Sequence, residues 1–148
     1  GIIVKGADNL MIKLAKCCNP VPGDEIVGFI TKGRGISVHR CDCSNITSLP
    51  EHEKARFIEV EWEDLKVGKS YNADICIVGN DRKGMLSDIS RVCEDMDIHL
   101  SGVNAKSGRD GSLTMTITLS ISSTQEMQKV LRNLRNIDGV LHVYRAKS

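Results

Sequence analysis

The cleanest pattern in the chain lies in its second half, where Leu113, Met115, Ile117, Leu119 and Ile121 alternate strictly with Thr and Ser. That period of two marks a strand with one buried face. On either side the spacing changes. Leu86, Ile89, Val92, Cys93 and Met96 recur at helical intervals and predict an amphipathic helix of about three turns. Ser123 or Thr124 can cap a second helix, with Gln125 and Glu126 in its first turn and Met127, Val130, Leu131 and Leu134 inward. Tyr71 to Gly79, His99 to Lys106 and Val140 to Tyr144 read as strands. Asn80-Asp81-Arg82-Lys83-Gly84 forms a turn into the first helix. Ser107-Gly108-Arg109-Asp110-Gly111 carries the Asp-Gly pair favoured in hairpins. The order is β-α-β-β-α-β, a ferredoxin-like arrangement with both helices on one face of an antiparallel sheet. The other face is then solvated or covered by a partner.

The first half is less regular. Gly1 to Val4 reads as a strand, and the chain opens on it so abruptly that a piece of something longer is expected. Asn9 to Ala15 is too short to assign. Cys17 to Asp24 is a turn-rich loop by its prolines and glycine. Glu25 to Thr31 and Ile36 to His39 are β-prone runs around Lys32-Gly33-Arg34-Gly35, a hairpin turn. Ser44-Asn45-Ile46 begins a short helical turn, and Phe57 to Trp62 alternates as one half-buried strand. The fold class is therefore α+β: a small β-hairpin module over residues 1–64, a linker over 65–70, and the ferredoxin-like domain over 71–148.

Composition narrows the function. Of 148 residues, 41% are hydrophobic and 26% charged, ordinary values for a globular protein, and the net charge is +1. No global field draws this chain to nucleic acid. Aromatic residues at 3% leave little for base stacking. No apolar run approaches the roughly 20 residues of a membrane helix, and no signal peptide is visible, so a cytoplasmic protein without membrane contact is expected.

The six cysteines are placed unevenly. Cys17, Cys18, Cys41 and Cys43 gather with His39 around the hairpin, while Cys76 and Cys93 sit in apolar segments. A hairpin brings its strand ends together, so Cys17, Cys18, His39 and Cys43 can converge. Thiolates and imidazole are ligands that zinc prefers. Adjacent ligands are awkward, which leaves open a set that Cys41 or Asp42 completes in place of Cys18. The plain alternative is buried thiols beside a core histidine. A Cys/His nucleophile lacks any visible oxyanion element or orienting acid. Lys13, Lys16, Lys32, Arg34 and Arg40 surround the cluster, and the Lys32–Gly35 turn can grip RNA phosphate or simply be solvated.

The run Leu14-Ala15-Lys16-Cys17-Cys18-Asn19-Pro20-Val21-Pro22-Gly23-Asp24, followed by Ile26 to Arg40, resembles the C-terminal region of the long RelA/SpoT-type (p)ppGpp synthetase/hydrolases. Asp42-Cys43 after His39-Arg40 fits that family's H-R-x-D-C pattern, with Cys41 at the variable position. The resemblance covers essentially the whole chain. It implies a zinc-finger-like or ribosome-intersubunit module, then an ACT domain. No HD metal motif or nucleotide-binding segment is present, so no catalysis is expected of this chain. The resemblance implies regulation through the ribosome, tRNA and the catalytic domains of the same protein, with Lys16, Lys32, Arg34 and Arg40 as RNA contacts and Cys17, Cys18, His39 and Cys43 as the zinc set.

ACT domains typically bind amino acids at a homodimer interface, and branched-chain amino acids are the ligands this resemblance implies. The turn before the first helix suits them. Free backbone N–H groups there favour a carboxylate. Asn80, Asp81 and Gly84 would shape the site, Asp81 would meet the α-ammonium, and Met85, Leu86 and Ile98 would form an apolar wall. Residues 98–104 would face the partner subunit. The alternative is a structural dimerisation module without ligand or metal, in which Asp81 and Gly84 shape a turn and the apolar residues are core. An independent zinc-dependent RNA-binding protein is a third possibility.

Overall fold

The computed structural model describes residues 2–4, 11–33, 35–63 and 69–146. The chain divides into two compact units, one up to Lys69 and one from Ser70 to Ala146. Most of the expected linker, residues 65–68 of 65–70, lies outside the described residues.

In the first unit, β1 (Ile2–Val4), β2 (Met11–Leu14), β3 (Ile26–Ile30), β4 (Gly35–Arg40), β5 (Phe57–Ile58) and β6 (Val60–Trp62) are joined by a short helix α1 (Ser44–Thr47) and a 3₁₀ turn over Glu51–Arg56. β3 and β4 form the expected hairpin, with Ile26 opposite Arg40 and Ile30 opposite Ile36. Thr31 closes it: its N–H donates to the Gly35 carbonyl, and the Gly35 N–H donates to Thr31 Oγ1. β2 adds parallel to β4, and β5 pairs with β3, giving the order β2-β4-β3-β5.

Alternation along these strands sends side chains to two faces. Ile36, Val38 and Val60 are buried on one side, with Ile2, Val4, Leu14, Ile26 and Ile58 packed against them. On the other, Val27 and Phe57 pack against Cys18, Cys43 and Ile46.

Two expectations change here. Phe57 to Trp62 is two strands rather than one. β5 follows β3, whereas β6 leaves after Glu59 to pair antiparallel with β1, since the N-terminal strand needs a partner for its backbone groups. The unassigned segment before the cysteines is an edge strand, β2, whose exposed Met11, Ile12 and Lys13 hide any strand alternation. Residues 9 and 10 of that segment lie outside the described residues.

The second unit runs β7 (Tyr71–Asn80), α2 (Met85–Asp95), β8 (Leu100–Ser107), β9 (Ser112–Ile121), α3 (Thr124–Arg135) and β10 (Val140–Arg145). Its sheet is antiparallel in the order β10-β7-β9-β8. This is the ferredoxin-like domain expected. Ile75 and Ile77 of β7, Ile117, Leu119 and Ile121 of β9, Ile89 of α2, and Met127, Val130 and Leu134 of α3 are almost fully buried together. Burying each such aliphatic side chain contributes roughly 1.5–3 kcal/mol.

The helix α3 starts as expected: Ser123 Oγ accepts from the Glu126 N–H, and Glu126 Oε1 accepts from the Ser122 N–H. In α2 the inward face is Met85, Ile89 and Cys93, and Leu86 points outward, 48% exposed. Among the described residues, no helix is long and apolar enough to cross a membrane.

β7 ends against the turn before β10. A Cβ at Gly79 would overlap the Gly139 carbonyl oxygen. Backbone cannot yield there as a side chain would. Gly79→Ala is therefore expected to destabilise the second unit by about 1–3 kcal/mol, measured as a lower urea midpoint at unchanged m-value.

Candidate metal centre

The hairpin brings the candidate ligands to one end of the sheet. β2 ends in a turn in which the Asn19 N–H donates to the Ala15 carbonyl at 3.0 Å, with Asn19 in the left-handed region at φ 46°. That turn carries Cys17 and Cys18. His39 sits on β4, opposite Val27. After β4 the Cys43 N–H donates to the Arg40 carbonyl, and the Cys43 carbonyl accepts from Ile46 and Thr47, so Cys43 caps α1.

The four ligand atoms lie within 4.8 Å of one another. Cys17 Sγ is 3.4 Å from His39 Nδ1 and 3.6 Å from Cys43 Sγ, and Cys18 Sγ is 3.9 Å from His39 Nδ1. A disulfide needs ~2.05 Å between sulfurs, and the cysteines are free thiols. Zinc–sulfur bonds of ~2.3 Å and zinc–nitrogen bonds of ~2.0 Å at tetrahedral angles put sulfurs ~3.8 Å apart and sulfur from nitrogen ~3.5 Å. These three spacings lie within about 0.4 Å of that tetrahedron's edges.

The surroundings fit it too. Burial pushes the Cys18 thiol up to about 12, and the Arg40 N–H, which donates to Cys18 Sγ at 3.3 Å, works against that rise. Neighbouring Cys17 and Cys43 add to it. Burial also holds His39 below the usual imidazole range. Left without a cation, burial and mutual repulsion keep a proton on Cys18; a divalent cation among the three sulfurs would supply the charge that lets them act as thiolates.

Cys18, then, completes the set. Cys41 is exposed and outside the cluster, its thiol pushed up first by desolvation and then by Glu25 and Asp42. Asp42 pairs with Arg40 at 2.7 Å. That pair also changes the view of Arg40, whose side chain is only 11% exposed. Lys16 and Lys32 are exposed, and Arg34 lies outside the described residues.

In the second unit, Asn80 and Asp81 are exposed in the turn before α2, and Gly84 caps that helix at φ 82°. Leu86 is exposed beside them. Met85 and Ile98 are buried core residues, 3% and 6% exposed. Ile98 follows the far end of α2, so within one chain it stands a helix length, ~16 Å, from the turn. β8 begins only at Leu100 and is an edge strand.

Sequence reasoning passed over Arg82. Its guanidinium donates to the Asp138 carbonyl at 2.8 Å, the Lys83 carbonyl at 2.9 Å and Asp88 Oδ2 at 2.6 Å, stapling this turn to the one before β10. The only signal was an arginine beside a helix-starting glycine.

The fold and the cluster together define a two-part protein, a Cys/His β-module followed by a ferredoxin-like domain. Residues 2–63 match the RelA/SpoT RIS domain, and residues 67–145 match the ACT domain. The chain belongs to the ACT-domain family, with a RelA/SpoT RIS domain ahead of it, the regulatory pairing of the RelA/SpoT GTP pyrophosphokinases.

Among its relatives, the GTP pyrophosphokinase of Streptomyces coelicolor is 38% identical over 148 residues, all of this chain and 17% of that protein. The Escherichia coli K12 GTP pyrophosphokinase is 39% identical over 97% of this chain and 19% of its own length. The bifunctional (p)ppGpp synthase/hydrolase RelA of Mycobacterium tuberculosis is 36% identical over all of this chain and 20% of its own. The chain thus spans about a fifth of these proteins' length. The crystal structure of the ACT domain from the Chlorobium tepidum GTP pyrophosphokinase is 27% identical, covering 53% of this chain and 100% of that one, with a TM-score of 0.47.

The geometry separates the cysteines sharply. Cys18→Ser and Cys43→Ser are each expected to lose bound zinc, and Cys41→Ser to keep it, as read by the zinc-to-protein ratio of purified chains.

Proposed function

We propose that this chain is the non-catalytic regulatory region of a (p)ppGpp synthetase/hydrolase, in which a zinc-pinned module meets the ribosome and an ACT domain reads an amino acid. The observation that supports it most is the Cys17, Cys18, His39 and Cys43 tetrahedron. In this reading, residues 1–64 form the first module, 65–70 a linker and 71–148 the ACT domain. Zinc fixes the turn, strand and helix cap that carry the ligands. Lys16 and Lys32, with Arg34, offer charge to tRNA or ribosomal RNA. Arg40 serves instead through its pair with Asp42. The same module transmits the outcome to the catalytic domains of the full-length protein. Six free thiols suit a reducing, cytoplasmic setting.

For the ACT domain, the ligand is a branched-chain amino acid held in a homodimer. Its carboxylate meets the N–H groups opening α2, its ammonium meets Asp81, and Leu86 and the partner's edge strand supply apolar contact. Met85 and Ile98 support that site from the core rather than line it. A second reading, in which the domain only dimerises, draws on Arg82, which already spans the turn and binds Asp88.

Ligand linkage separates the two. Valine at 100 times its Kd should stabilise the ACT domain by about 2.7 kcal/mol, visible as a higher Tm. Asp81→Ala should abolish that shift. If valine, leucine and isoleucine leave the Tm unchanged, the dimerisation reading stands. For the first module, Lys32→Glu should weaken association with ribosomes carrying deacylated tRNA, measured by co-sedimentation. Equal sedimentation would remove Lys32 from the contact.

A further inference from the structure

We propose that Ser37 is the positioning residue of the metal centre, holding His39 so that Nδ1 rather than Nε2 faces the ion. The inference rests on the zinc reading above and goes beyond it, because Ser37 belongs to no ligand set.

The geometry is specific. Ser37 and His39 are two apart on β4, so both side chains leave the same face of the sheet. Ser37 Oγ lies 3.1 Å from His39 Nε2. The other ring nitrogen, Nδ1, lies 3.4 Å from Cys17 Sγ and 3.9 Å from Cys18 Sγ. A nitrogen that coordinates must present its lone pair. The ring proton of neutral His39 then sits on Nε2, and Ser37 Oγ is the acceptor in its path. One hydrogen bond therefore fixes both tautomer and ring rotation. Histidine ligands are commonly oriented in this way by a partner on their second nitrogen, and losing the partner weakens metal binding about 10–100-fold.

Ser37 is also placed so that its hydroxyl can be tested without damaging the fold. It is half-buried and lines an open groove of about 270 Å³ with Met11, Lys13, Thr31, Gly33, Gly35 and Ile36. The buried residues of β4, Ile36 and Val38, point to the opposite face. Removing Oγ opens no closed cavity, and a threonine methyl has the groove to enter.

The test uses the 148-residue chain with zinc alone as probe. Chelator competition gives the zinc affinity of wild type, Ser37→Ala and Ser37→Thr. Long-range ¹H–¹⁵N correlation on the zinc-loaded wild type reads which ring nitrogen is protonated. We expect Ser37→Ala to bind zinc about 10–100-fold more weakly and Ser37→Thr to return within a few-fold of wild type. We also expect His39 with a proton on Nε2 and metal on Nδ1. A folded Ser37→Ala with wild-type affinity overturns the proposal while leaving the zinc reading intact. So does metal on Nε2, which decides the question even if Ser37→Ala does not fold. A wild-type chain that binds no zinc overturns both.

Discussion

Three sulfurs and one imidazole nitrogen within 4.8 Å of one another are the constraint on which the first unit turns. The cluster joins a turn after an edge strand, the end of a hairpin, and the cap of a four-residue helix. Among the described residues the apolar support is two groups, one around buried Ile36, Val38 and Val60 and the other around buried Cys18, Cys43 and Ile46, each with partly buried apolar residues packed against it. Two of the latter three are ligands themselves. A module of some 60 residues buries too little surface to be secure by hydrophobic contact alone, and a metal is a usual remedy. With a metal bound, Cys18 and Cys43 would be both core and staple.

The ACT unit depends on nothing comparable. β7 and β9 lie side by side over ten residues, and both helices cover the isoleucine and leucine face they share. The opposite face carries Thr114, Thr116, Thr118 and Ser120, and Thr118 bonds Asp74 at 2.7 Å. With the core provided by the sheet and helices, the turn before α2 lies outside it, Asn80 and Asp81 exposed. Its strained position is taken by a glycine, and Arg82 ties it to the turn that precedes β10.

Legibility followed the strength of the repeating pattern. β9 could be read because its alternation is complete, and α3 because a serine cap and four inward residues agree. β2 could not, because an edge strand with exposed Met11 and Lys13 carries no alternation. The break at Glu59 was hidden because a strand that changes partner keeps its period. In the metal centre the hairpin made the convergence of Cys17, His39 and Cys43 readable. Cys18 was readable as a candidate with them, and what adjacency left open was whether Cys41 or Asp42 takes its place, since the left-handed turn at Asn19 has no fixed sequence sign. Arg40 stood among the basic residues until its pairing with Asp42 was seen. Arg82 acts through tertiary contacts that spacing does not announce, whereas Ser37 stands two residues from His39 on one strand, a spacing that gives them a shared face but not their contact.

X-ray absorption at the zinc edge of the purified chain addresses the central claim most directly, because it counts ligands and measures their distances without altering a residue. The account predicts three sulfurs at ~2.3 Å and one nitrogen at ~2.0 Å. A chain without zinc, or one whose zinc has four sulfur neighbours with Cys41 in the place of His39, would contradict it.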